Sequence, residues 1–149
     1  MFKSILVATD GSDLANKALD AALELARTNQ ASLTILTATD PVATGVGSGG
    51  FGTLNAGPII ERLEEAYASE AAKLLAEASD RAAAAGVTAQ TLHLPRHRPA
   101  EGIIETAKQR GADLIVMGSH GRRGLGRLLL GSQAVEVLSQ ATMPVLIVK

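Results

Sequence analysis

A chain of 149 residues with 46% hydrophobic but only 2% aromatic side chains has the length of one α/β domain and must build its core from Ala, Val, Ile and Leu. Fourteen basic residues stand against fifteen acidic ones, so no long-range field draws in a nucleic-acid backbone. Cysteine is absent, which excludes disulfides, thiolate zinc sites and a cysteine nucleophile and fits a cytoplasmic protein; no stretch is apolar enough for a signal peptide or a membrane span.

The apolar run Lys3–Thr9 ends at the turn cluster Asp10-Gly11-Ser12 and reads as a buried strand. Leu14, Ala18, Ala21, Ala22 and Leu25 then recur at helical spacing, which predicts a helix through Arg27. Ser32–Ala38 reads as the second strand. Residues 41–57 follow, and Gly45, Gly47 and Gly50 spell a formal G-x-G-x-x-G. A dinucleotide loop needs its glycines against a strand end and opening a helix at once. Here Gly45 stands seven residues past Ala38, and Pro58 comes eight residues after Gly50. The stretch therefore reads as a flexible loop, a lid or a partner-facing flap, not as a phosphate cradle.

Pro58 opens a long helix whose register is set by Ile59, Leu63, Ala66, Glu70, Leu74 and Ala78, up to Gly86. Val87–Leu94 alternates in polarity and suits an edge strand. Pro99 starts a helix with Ile103, Ile104 and Ala107 inward, closed by Gly111. Asp113–Gly118 is an apolar strand; a helix over Ser132–Gln140 follows, with Val135 and Leu138 expected inward, and Pro144–Lys149 is the last strand. The order βαβαβαβαβ predicts a parallel sheet covered on both faces. Ligands of such sheets bind beyond the carboxyl ends of the strands, where the winding reverses.

Two strand ends carry unusual residues. One is Asp10-Gly11-Ser12; the other is Met117–Ala134, where Gly118, Gly121 and Gly131-Ser132 are spaced G-x2-G-x9-G-S. Such glycines let backbone N–H groups approach an oxyanion, and the helix opening near Gly131 adds unpaired N–H groups and the positive end of its dipole. Ser132 is placed to cap that helix or to meet a phosphate, and Arg122, Arg123 and Arg127 add positive charge. The competing reading is a glycine-rich connection with a surface arginine cluster. Asp10 likewise has two readings, a ligand contact or a turn and helix cap.

At this point the chain resembles the universal stress proteins, in their ATP-binding branch. The resemblance covers the whole chain through "ILVATDGS", "DLIVMGSHG", the complete G-x2-G-x9-G-S pattern and "MPVLIVK". It implies a Rossmann-like α/β fold: an open five-stranded parallel sheet of order 3-2-1-4-5 with helices on both faces, as a single domain over residues 1–149. It implies an adenine nucleotide as ligand, ATP or alternatively ADP or AMP, with or without Mg²⁺. Ala8 and Thr9 would then line the base pocket, Asp10 would contact the ribose or adenine side, and Ala38 would offer backbone groups to the adenine edge. Met117 and Gly118 would flank base and ribose. Gly121, Gly131, Ser132 and Gln133 would hold the phosphates, with Arg122 beside them. The sequence departs from many relatives at His97-Arg98-Pro99, where a Gly-Asp/Asn-Pro turn is common, and at "LTATD". The first departure is expected beyond the edge strand, with little effect on the ligand.

Turnover finds little support. Gly126-x4-Gly131-Ser132 partly mimics a Walker loop but lacks its lysine, and no carboxylate pair stands beside it. His120 is either a base or a loop residue; His93 packs on its strand; His97, between Arg96 and Arg98, is solvated or part of an anion-binding trio. The resulting reading is an ATP-binding stress-response regulatory protein with an unidentified protein partner. The alternatives are a slow ATPase or phosphotransferase, and an interaction module without nucleotide binding. The short apolar strand at the carboxyl end invites a partner strand, and relatives dimerise through it, so a homodimer through Val145–Val148 is expected.

Overall fold

The computed structural model describes residues 1–42, 57–121 and 129–149. Residues 43–56 of the expected loop over 41–57, and with them the glycines of its G-x-G-x-x-G, lie outside the described residues, as do Arg122, Arg123 and Arg127. Strands and helices alternate: β1 (Ser4–Ala8), α1 (Asp13–Asn29), β2 (Ser32–Thr39), α2 (Gly57–Ala84), β3 (Ala89–Pro95), α3 (Pro99–Gln109), β4 (Leu114–Gly118), α4 (Ser132–Gln140) and β5 (Val145–Val148). The five strands form one parallel sheet of order β3-β2-β1-β4-β5. The winding reverses between β1 and β4, which pair directly from Ile5↔Leu114 to Val7↔Val116.

The strands read as continuous apolar runs because both faces of the sheet are covered. Alternate residues serve two cores. Ile5, Val7, Leu33, Ile35 and Val116 pack with Leu19, Ala22 and Leu75 of α1 and α2. Leu6, Leu36, Ile115 and Met117 pack with Ile103, Ile104 and Val137 of α3 and α4. Each large aliphatic side chain so buried is worth roughly 1.5–3 kcal/mol, and the scarcity of aromatics is met by fully buried small residues such as Ala18, Ala22, Ala100 and Ala107. At the amino end of the sheet, Asp113 accepts from the N–H groups of Lys3 (2.8 Å) and Ser4 (3.1 Å), which fixes β1 against β4 far from the site.

Three helix registers differ from the sequence expectation. In α1 the fully buried stripe is Ala15, Ala18, Leu19, Ala22, Leu23 and Ala26, one position on from the predicted Leu14 and Ala21. In α2 the buried residues are Ala71, Leu75, Ala78 and Ala82, while Ile59, Leu63 and Glu70 are exposed. Twenty-eight residues make a helix of about 42 Å, against about 26 Å for the eight residues of β2. The first half of α2 therefore overhangs the carboxyl rim of the sheet and has no core to bury into. In α4 the buried pair is Ala134 and Val137, whereas Val135 and Leu138, expected inward, are 50% and 42% exposed. A helix of nine residues carrying apolar side chains on two faces offers periodicity no means of choosing between them.

Candidate functional site

A cavity of about 130 Å³ opens beyond the carboxyl ends of β1 and β4, at the winding reversal. Its walls come from every layer: Ala8, Thr9 and Asp10 after β1, Leu36 and Ala38 from β2, Met117 and Gly118 from β4, Ala15 of α1, Pro99 and Ile103 of α3, and Gln133 of α4. His120 and Gly121 close one side. An apolar cavity of about 150 Å³ holds one benzene ring, so this one encloses about one ring, and a larger flat group would extend out through its open side. A more open groove joins it at Asp10, Ala38 and Gln133 and runs past Thr39, Asp40 and Tyr67 between β2 and the overhang of α2.

The residues at the end of β1 are held by backbone geometry. The Thr9 N–H donates to Leu36 O (2.9 Å), and the Thr9 hydroxyl accepts from Gly11 N–H (3.2 Å). Asp10 takes the turn placement, with Oδ1 accepting from Ser12 N–H (2.9 Å) in an Asx turn, and the residue also lines the cavity. The cap of α1 is Ser12, whose Oγ accepts from Ala15 N–H (3.2 Å). Gly121 lies so close to Asp10 that a Cβ added there would stand 2.5 Å from Oδ2.

The segment after β4 is tied on both sides. Ser119 N–H donates to Val148 O (2.8 Å), and Ser119 O accepts from Gly131 N–H (2.7 Å). Gly131 is the N-cap of α4, so Ser132 is its first helical residue and not the cap that the sequence suggested. The Gly131 N–H, expected among phosphate donors, is committed to Ser119 O; the next N–H groups, on Ser132 and Gln133, have no carbonyl one turn before them within the helix. A Cβ on Gly131 would lie 3.0 Å from the Cα and Cβ of His120. Gln133 Oε1 accepts from Ala100 N–H (2.9 Å), joining the starts of α3 and α4 across the cavity. The buried hydroxyl of Ser119 meets Nδ1 of His120 at 3.0 Å.

Of the sequence-predicted residues, Ala8, Thr9, Asp10, Ala38, Met117, Gly118, Gly121 and Gln133 border one cavity. Gly131 and Ser132 begin the helix beside it, and Arg122 lies outside the described residues. Ala15, Leu36, Pro99 and Ile103 complete the walls without having been singled out. Pro99, in the turn expected beyond the edge strand, lines the cavity: α3 starts there, and the Pro99–Ile103 spacing of one helical turn was the available signal. At the neighbouring rim His93 Nε2 and Thr39 Oγ1 are 2.9 Å apart, and burial lowers the His93 pKa below its usual 6.5. Among the described residues no group of three or more His, Cys, Asp or Glu side chains is placed to hold a metal ion, and no helix is long and apolar enough to cross a membrane.

Comparison with known proteins gives a consistent picture. The family model described as the universal stress protein family matches residues 1–149. The chain is 40% identical over 150 residues to the universal stress protein YxiE of Bacillus subtilis, covering 100% of both. It is similar in structure to the universal stress protein UspA of Lactobacillus plantarum, with TM-score 0.83, 28% identity, and 99% and 97% of the two chains covered. A universal stress protein solved in complex with cAMP matches with TM-score 0.70 and 30% identity over 99% of this chain and 96% of that one.

Proposed function

The chain belongs to the universal stress protein family, and we propose that it binds an adenine nucleotide, ATP in the first place, at the carboxyl rim of its sheet and acts as a stress-response regulator rather than as an enzyme of rapid turnover. The observation that carries this reading is the cavity between the ends of β1 and β4: largely aliphatic, wide enough for the edge of a flat ring, and opening beside the start of α4. The aliphatic walls favour a flat apolar face, and the amide-rich rim favours an anion. The related protein in complex with cAMP supports the ligand class.

Ala8, Thr9, Ala38 and Met117 would enclose the base, with Pro99 and Ile103 opposite. Asp10 and Gly118 would face the ribose. Gly121, Ser132 and Gln133, with Arg122, would meet the phosphates. The close approach of Gly121 to Asp10 fits this role, since a side chain there would fill the cradle. Magnesium would be held through phosphate oxygens and water, because Asp10 is the only carboxylate among the described cavity residues. ADP and AMP would fit the same walls. The ligand would set conformation or the choice of a protein partner in the cytoplasm.

A homodimer through β5 completes the proposal. Val135 and Leu138 of α4 and, from the other side of the sheet, Leu146 of β5 leave apolar side chains exposed near that edge strand. The decisive test of the ligand is to denature the purified protein and identify what it releases, then to titrate the stripped protein with ATP, ADP and AMP by calorimetry. Heat of binding with an adenine nucleotide is expected; its absence throughout would leave an interaction module.

A further inference from the structure

Ser119 and His120 form a pair that the nucleotide reading above does not use. Ser119 is 3% exposed. Its backbone is pinned between the last strand and the start of α4, by Val148 O on one side and Gly131 N–H on the other. Its hydroxyl therefore stands at a fixed point, and the partner it reaches among the described residues is Nδ1 of His120. A buried hydroxyl with one partner spends its proton on it, because a buried donor left without an acceptor costs more than an oxygen with a spare lone pair. This favours the arrangement in which Ser119 donates, Nδ1 accepts, and the ring N–H is on Nε2.

The second constraint is the His120 backbone. It packs where a Cβ on Gly131 would lie, so the residue is held against the first turn of α4. With Nδ1 turned back to Ser119, Nε2 lies on the far side of the ring from it, and His120 is among the residues that line the cavity. We propose that His120 recognises a phosphoryl oxygen of the bound nucleotide through Nε2–H, with Ser119 as the positioning residue that fixes the tautomer and the ring. This rests on the nucleotide reading and adds to it a side-chain donor between the glycines of the motif.

The test uses calorimetry of adenosine and AMP with the wild-type protein and the variants His120→Asn, His120→Gln and Ser119→Ala. Glutamine carries an N–H at the reach of Nε2, and asparagine does not. AMP affinity is expected to fall about tenfold or more in His120→Asn, by the strength of a hydrogen bond to a charged group, and to recover to within about threefold of wild type in His120→Gln, with adenosine affinity changed much less than AMP affinity in His120→Asn. Ser119→Ala is expected to weaken AMP about threefold and, in ¹⁵N spectra of histidine-labelled protein, to replace a single Nε2–H tautomer by a mixture. A wild-type protein that binds no AMP overturns the nucleotide reading and this inference together. Unchanged AMP affinity in His120→Asn, an equal loss for adenosine, or a glutamine variant as weak as the asparagine one overturns this inference alone, and an unaltered tautomer in Ser119→Ala removes the role of Ser119.

Discussion

At the scale of single residues, two glycines of one motif should fail differently when given a side chain. At Gly121 a methyl group meets the Asp10 carboxylate, the end of a side chain that can swing aside. Gly121→Ala should keep the fold but displace Asp10 from the cavity, lowering nucleotide affinity about tenfold with a shift in melting temperature of only a degree or two. At Gly131 the methyl meets the Cα of His120 and the carbonyl of Ser119, both backbone atoms and both pinned. Gly131→Ala should therefore cost about 1–3 kcal/mol of stability, as overpacking does. Equal effects of the two on stability in urea titrations would count against this division. His93 gives the residue-scale pH dependence. Burial lowers its folded pKa, so its neutral form is the stable one beside Thr39 Oγ1. Its contribution is complete above the unfolded value near 6.5 and is lost as pH falls through that value towards the folded pKa. The melting temperature of His93→Gln should fall less than that of wild type between pH 7.5 and 5.5; parallel falls would remove His93 as the cause.

At the scale of elements, the proposed dimer would be decided by α4 and β5. The alternation of β5 sends Val145 and Ile147 to the core shared with α3 and α4, while Leu146 is turned out. A lysine at Val145 would disturb that core as well as the edge, so Leu146→Lys, alone or with Leu138→Glu, separates the two effects. Light scattering should then show monomers with an unchanged melting curve at low concentration; a dimer that survives both changes would refute an interface at this edge. The same elements show what the sequence made legible. Strand identity was readable because both-face burial demands unbroken apolar runs such as Ile5–Val7 and Leu114–Met117. Helix faces were readable where one stripe is apolar, as with Ile103, Ile104 and Ala107 in α3. They were not where a helix serves two surfaces, as α4 does, or outruns its sheet, as α2 does; these depend on what lies opposite, which local spacing does not encode. The site divides likewise. Glycines at fixed spacing announce a rim, whereas Pro99 and Ile103 arrive from another crossover through the sheet order alone.

At the scale of the whole molecule, the cavity draws its walls from both halves of the sheet. Leu36 and Ala38 come from β2, Met117 from β4, Pro99 and Ile103 from α3 and Gln133 from α4. No fragment of the chain assembles those walls, so a ligand that fills them binds the folded state and gains nothing from the unfolded one. Linkage then converts occupancy into stability: about 2.7 kcal/mol at a free ligand concentration one hundred times Kd. For a domain of this size each kcal/mol raises the melting temperature by about 2–4 °C, so saturating ATP should raise it by about 5–10 °C. Guanine differs from adenine by its exocyclic groups, and an aliphatic wall leaves those groups without partners unless backbone amides are positioned for them. GTP should therefore raise the melting temperature much less than ATP at the same concentration, and ADP and AMP should fall between ATP and the free protein according to the phosphates they bring to the rim. Thermal unfolding followed by circular dichroism distinguishes the possibilities. Equal shifts with ATP and GTP would assign the stabilisation to the phosphates and leave the cavity without a role in choosing the base.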